Sequence, residues 1–266
     1  MAALSHLSAS QLQLYLTCSL KFRFTYIDKL PKLTKSANQV FGLAMHAALE
    51  WLHKELKHGR KVPLDELLRV YEADWQAQTL MGPAVVYGDG EGPDLFMVKG
   101  KELLSQYYVD YLPDGVQAAE LRFQLPFINP DTGEVLPVPM LGFIDLIETD
   151  GTLVDFKNSA RAMPTHDLPD NLQLTVYSWA YERLFGKSPK DIKLVNLVRT
   201  KTPKIETHLT GREASDYVRL FAIGKEVLKA VEYEVFVPNR GCWACSGCEF
   251  DQDCREWDGN GEVRSL

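Results

Sequence analysis

Apolar positions recur at helical spacing through the first part of the chain and switch to strand alternation near its middle. Ser8 and Gln11 form a capping-box pattern that opens a helix with Leu12, Tyr15 and Leu16 on one side and Cys18 and Ser19 near its end. A second helix is predicted over Val40 to Lys57, with Ala44, Ala47, Ala48 and Trp51 as a close-packing face and Gly59 as its stop. Pro63 to Gln78 reads as a third. Met81 to Pro93 is rich in glycine and proline, carries Asp89 and Glu91, and reads as a mobile loop. Helix resumes over Asp94 to Leu112. Strands are then expected over Leu121–Ile128, over Val135–Glu148 with bends at Pro137 and Pro139, and over Thr152–Asn158. Asp150 and Gly151 form the hairpin signal between the last two. A helix over Asn171–Phe185, strands over Ile192–Arg199 and Ile205–Leu209, a helix over Arg212–Glu232 and a cysteine-rich tail complete the pass. The order of these elements gives an α/β fold built on a central sheet. Neither an internal repeat nor a low-complexity tract interrupts it.

Bulk composition narrows the class. With 266 residues, 45% hydrophobic and 24% charged, the chain reads as an ordinary globular protein, long enough for one large domain or two small ones. It has no apolar run of membrane-spanning length and no signal-peptide pattern at its start, so the expected location is the cytoplasm. Five cysteines suit metal binding in a reducing compartment better than a disulfide framework. The net charge of −7 argues against a non-specific nucleic-acid coat. Two basic stretches stand out locally: Lys21, Arg23, Lys29, Lys32 and Lys35, and Lys187, Lys190, Lys193, Arg199, Lys201 and Lys204. Each is either a path for a phosphate backbone or a solvated face.

The candidate chemistry lies on the strands. Asp155 and Lys157 are two apart and share a face; Asp145 lies on the preceding strand of the hairpin, about 5 Å away. Two carboxylates and an ammonium then converge, in an otherwise apolar Leu153–Phe156 setting where charge needs a reason. Such a group suits a hard divalent cation and a phosphate. Cys18 stands near the start, and Cys245, Cys248 and Cys254 near the end with spacing C-x2-C-x5-C. Four thiolates suit either tetrahedral zinc or an iron–sulfur cluster, and a metal shared between the two parts would clamp the ends of the chain together. Cys242 adds a further C-x2-C step and allows a second ligand choice.

The array from Gly142 to Lys157 resembles the PD-(D/E)XK nucleases, in their RecB-like branch, which includes CRISPR-associated spacer-trimming exonucleases and AddB-type nuclease domains. Gly42-x-x-x-His46-x-x-x-Glu50 is similar to the branch's first motif, and Gln173-x-x-x-Tyr177 to its Q-x-x-x-Y motif. The cysteine set matches the branch's iron–sulfur version. The resemblance implies a restriction-endonuclease-like mixed sheet flanked by helices, in a single nuclease domain. Residues 1–112 would be mainly helical, 113–235 the core and 236–266 the cluster-binding tail docked on it. It implies Mg2+ or Mn2+ held by His46, Asp145, Asp155 and the Phe156 carbonyl, with Lys157 positioning and deprotonating water. Gln173 and Tyr177 would touch substrate or brace the site. It further implies a structural [4Fe–4S] cluster on Cys18, Cys245, Cys248 and Cys254, leaving Cys242 outside. The implied activity is DNA exonuclease, on single strands or frayed ends; the alternative is a catalytically silent, cluster-bearing DNA-binding or assembly subunit. No phosphate-binding G-x-x-x-x-G-K-[ST] loop is present, so any helicase, recombinase or integrase partner would be another chain.

Overall fold

The computed structural model describes residues 4–245 and 247–257. In chain order they form α1 (Ala9–Thr17), α2 (Ser19–Phe22), a π-helical turn (Arg23–Ile27), β1 (Thr34–Ser36), α3 (Ala37–Lys57), α4 (Leu64–Leu80), β2 (Ala84–Val86) and α5 (Pro93–Asp110). There follow β3 (Val116–Leu125), β4 (Met140–Glu148), β5 (Leu153–Ser159), α6 (Leu172–Phe185), β6 (Ile192–Val198), β7 (Lys204–Thr210), α7 (Ala214–Glu232) and α8 (Asp251–Glu256). The chain divides into two compact units, Met1–Leu33 with Gln124–Gly142 and Glu213–Leu266, and Thr34–Phe123 with Phe143–Arg212.

The second unit holds the mixed α/β core. Its five-stranded sheet runs β3-β4-β5-β6-β7. β4 and β5 are antiparallel, β5 and β6 parallel across the α6 connection, and β6 and β7 antiparallel. On β5 the alternation assigns the faces. Val154 and Phe156 point into the apolar core, with Phe41, Met45, Leu49, Tyr71, Phe96 and Tyr107 of α3, α4 and α5. Asp155 and Lys157 therefore point to the other face, where α6 packs against β5. α3 begins at Ser36, whose hydroxyl accepts from Gln39 N–H at 3.2 Å. It ends before Gly59, at φ +77, a left-handed conformation that glycine adopts without penalty.

Several boundaries differ from the sequence expectation for identifiable reasons. The strand expected from Val135 starts at Met140, beyond both prolines, which lack the N–H a ladder needs. The expected loop after Met81 contains β2, which pairs in parallel with β1 through three residues each, too short to carry a periodic signal. In the first unit, α2, the π-turn and α8 are single-turn elements with the same difficulty.

That first unit is built from distant segments. Leu20, Phe22 and Phe24 pack with Phe236 and Phe250. Ser19 Oγ accepts from Val237 N–H at 2.9 Å, Asn239 Nδ2 donates to the Thr17 carbonyl at 2.8 Å, and Tyr15 Oη donates to the Val235 carbonyl at 2.7 Å. The segments near the two ends are therefore joined by hydrogen bonds and aromatic packing in addition to any shared metal.

Candidate functional site

The β4–β5 hairpin places the two aspartates. Its ladder pairs Leu146 with Val154 and Ile147 with Leu153. Just beyond, the Phe156 N–H donates to Asp145 Oδ2 at 2.9 Å. The other Asp145 oxygen accepts from Tyr177 Oη at 2.6 Å, and Gln173 Nε2 donates to that hydroxyl at 2.7 Å. Gln173 Oε1 in turn accepts from Lys157 Nζ at 2.8 Å, and Lys157 Nζ donates to Asp155 Oδ1 at 3.0 Å. A continuous polar chain thus runs Asp155–Lys157–Gln173–Tyr177–Asp145. Gln173 and Tyr177 meet it together because they stand one helical turn apart on α6, a helix started by Asn171, whose Oδ1 accepts from Leu174 N–H.

Burial sets the charge states. Asp155 is fully buried. Its desolvation pushes the carboxyl well above the usual carboxylate range, opposed by Lys157 and reinforced by Asp145. Asp155 Oδ2 lies 2.9 Å from Lys157 Nζ, yet has no donor in hydrogen-bonding geometry. Burial likewise raises the Tyr177 phenol, with Asp145 adding to the effect, so its proton stays in place for Asp145.

The opposite layer contributes His46. From α3 the imidazole sits beside the Phe156 backbone, and its Nδ1 lies 3.7 Å from Asp145 Oδ2. Burial holds it below the ordinary histidine value, which favours the neutral form with a free lone pair. Glu120 on β3 completes the group. Ligand atoms of His46, Glu120 and Asp145 all lie within 4.8 Å of one another. Desolvation, with Asp145 adding, pushes the Glu120 carboxyl up to about 7. These three present a mixed nitrogen–oxygen donor set suited to a hard divalent ion, while the carboxylate of Asp155 is engaged by Lys157.

Tyr177→Phe is expected to destabilise the metal-free protein by about 1–3 kcal/mol, because it strips Asp145 Oδ1 and Gln173 Nε2 of a buried partner. Denaturant unfolding followed by circular dichroism measures this; an unchanged midpoint would mean that the hydroxyl holds nothing in place.

In the first unit, all five cysteines line one cavity of about 230 Å3, together with Lys21, Phe24, Arg240 and Phe250. Burial raises the Cys248 and Cys254 thiols; Cys18 adds to both and Cys245 to Cys254, so these sulfurs share one electrostatic neighbourhood. Among the described residues, no three cysteine sulfurs gather within 4.8 Å of one another. Tetrahedral zinc would hold its thiolates about 3.8 Å apart, from a Zn–S bond of about 2.3 Å. The five cysteines share this cavity but do not form a clear cluster site. Cys242 and Cys245 have sulfurs 3.7 Å apart.

Fold and carboxylate–lysine centre together are those of a nuclease. The family model of the PD-(D/E)XK nuclease superfamily matches residues 6–255, and the chain belongs to that superfamily. Among solved structures, a crystal structure of a "Putative exonuclease" from Eubacterium rectale is similar over 98% of this chain and 90% of that one, with a TM-score of 0.59 and 11% identity. At that identity the likeness is one of fold. A second structure, SSO0001, aligns over 92% of each chain at 16% identity with a TM-score of 0.36. No curated protein matches the chain.

The sequence reading passed over Glu120. Its signal is a slip of phase within β3: Val116 and Ala118 are buried at even positions, Phe123 at an odd one. The break falls at Glu120, whose φ of +48 is left-handed and strained for a side-chain-bearing residue.

Proposed function

We propose that this chain is a metal-dependent DNA exonuclease of the RecB-like, iron–sulfur type, acting on single strands or frayed ends in the cytoplasm. The observation that carries the reading is the position of Lys157, whose ammonium bridges Asp155 and Gln173 in the network that fixes Asp145.

His46, Glu120, Asp145, Asp155 and the Phe156 carbonyl would hold Mg2+ or Mn2+. When bound, that ion supplies charge neutralisation at the phosphate and a more acidic water. The chain's own groups supply orientation. Asp145 is fixed by one donor on each oxygen, so its free lone pairs have a set direction. His46 offers a neutral nitrogen. Lys157 carries three protons in its ammonium, of which Asp155 and Gln173 take two; the third is free for a water or a phosphate oxygen. Tyr177 and Gln173 hold Asp145 and Lys157 in mutual register.

Cys18, Cys245, Cys248 and Cys254 would hold a [4Fe–4S] cluster, whose contribution is to tie the tail segment to the α1–α2 junction. Any helicase, recombinase or integrase working with the nuclease would be a separate chain.

End-labelled single- and double-stranded DNA, incubated with anaerobically purified protein in Mn2+, Mg2+ or EDTA, tests the reading. Ladder-forming digestion from an end, lost in EDTA and in Asp145→Asn, is expected. Binding without cleavage by cluster-loaded protein would instead identify a silent DNA-binding subunit.

A further inference from the structure

Cys242 is the cysteine that a four-ligand cluster leaves over, and its surroundings give it a chemistry of its own. Its sulfur lies 3.7 Å from that of Cys245, which is van der Waals contact. The Cys245 N–H donates to the Cys242 carbonyl at 3.0 Å, closing a tight turn between them. Such a turn keeps its first and last Cα atoms within about 7 Å, and a disulfide needs about 4.4–6.8 Å. The sulfurs must approach by only about 1.7 Å to reach bonding distance, a side-chain rotation rather than a backbone rearrangement. Gly241 and Gly247, both left-handed, flank the turn and set its entry and exit. Cys245 is exposed, so a small oxidant reaches its sulfur, which also sits 3.3 Å from the Asn239 carbonyl.

We propose that Cys242 and Cys245 form a redox-active dithiol, and that their disulfide and the cluster are mutually exclusive. The exclusion rests on the cluster assignment given above; the dithiol rests on its own geometry. The oxidant is a low-molecular-weight disulfide of the glutathione class. The Cys245 thiolate attacks one of its sulfurs, and one thiolate leaves and takes up a proton. The Cys242 thiolate then attacks Cys245 Sγ in the mixed disulfide, forming the Cys242–Cys245 bond and expelling the second thiolate, which takes up the second proton. The protein loses two electrons and two protons; the oxidant becomes two thiols. Cys245 is thereby withdrawn as a ligand, and a reducing dithiol returns it. Cys242 thus guards the ligand position of its neighbour against further oxidation while the cluster is absent.

The test uses the full chain, stripped of metal and treated with oxidised glutathione, with peptide mapping by mass spectrometry before and after dithiothreitol. A linkage between Cys242 and Cys245 is expected, and in Cys242→Ser a stable glutathione adduct on Cys245 in its place. A bond between any other pair, or a persistent glutathione adduct on the unmodified sequence, overturns the dithiol. Iron and sulfide are then offered to the reduced and the oxidised protein, with visible absorbance as readout. Loading at least tenfold slower in the oxidised form is expected; equal loading overturns the exclusion. Failure of the fully reduced protein to load would strike the cluster assignment alone, since the peptide map judges the dithiol either way.

Discussion

Lys157→Met is expected to slow phosphodiester hydrolysis about a thousandfold in saturating Mg2+, the scale of losing one well-placed charged group at a site of developing charge. Methionine matches the apolar stem of the lysine side chain but lacks its terminal ammonium. Two things follow within the polar chain. Gln173 Oε1 loses its donor, and the fully buried Asp155 loses the ammonium beside it. An unpaired buried carboxylate protonates rather than remain charged, so the variant should also bind Mn2+ more weakly, by roughly tenfold. Single-turnover cleavage of a labelled oligonucleotide and titration calorimetry measure the two effects separately. A variant that folds and still cuts within tenfold of the original rate would remove Lys157 from the chemistry.

The second large effect concerns stability in acid. His53 lies two turns beyond His46 on α3, almost wholly buried. Its Nε2 is 2.8 Å from Tyr107 Oη, and its ring stacks on Phe156 with centroids 5.4 Å apart. Burial pushes its pKa down to about 3, against about 6.5 in an unfolded chain. Between those values the unfolded chain takes up a proton that the fold refuses. His53's contribution is therefore fully present above pH 6.5 and is lost as the pH falls, by about 1.4 kcal/mol per unit and about 3.4 kcal/mol by pH 4. Glu120 acts in the opposite sense: its raised carboxyl takes up a proton in the fold between the unfolded value of 4.5 and about 7, which favours the fold as pH falls through that window. The raw pH profile mixes the two. The difference between the original chain and His53→Gln, which keeps a polar partner for Tyr107, isolates the histidine. That difference should move by about 3 kcal/mol between pH 7 and pH 4 in denaturant unfolding; a constant difference would mean that His53 titrates in the fold as it does in the unfolded chain.

Long elements were legible in the sequence because their periodicity lasts: α3, α6, α7 and the β4–β5 hairpin stand within a few residues of expectation. The convergence of Asp145, Asp155 and Lys157 followed from strand alternation and one turn signal. What escaped was set by tertiary contact. Glu120 joins His46 and Asp145 only because a left-handed residue breaks the alternation of β3, and no local rule demands a glutamate there. The helical spacing of Gln173 and Tyr177 puts both on one face of α6, but their hydrogen bonds to Lys157 and Asp145 depend on how α6 packs on the sheet. The three-residue strands and single-turn helices are held by neighbours and carry too few residues for a pattern.

The scattered make-up of the first unit fixes the order in which the chain can be completed during synthesis. The second unit's two segments both lie between residues 34 and 212, so its sheet and helices are available before the first unit has all its parts. Phe22 and Phe24 emerge near the beginning, yet their partners Phe236 and Phe250 come more than two hundred residues later. Until then the apolar segment at the front of the nascent chain has only near neighbours such as Tyr15 and Tyr26 to pack against. Closing so long a loop is slow and leaves that segment open to wrong partners. The cysteine cavity shares this history, because Cys18 waits through the same interval for Cys245, Cys248 and Cys254. Loading of the proposed cluster would thus be a late event, coming after most of the polypeptide has been made.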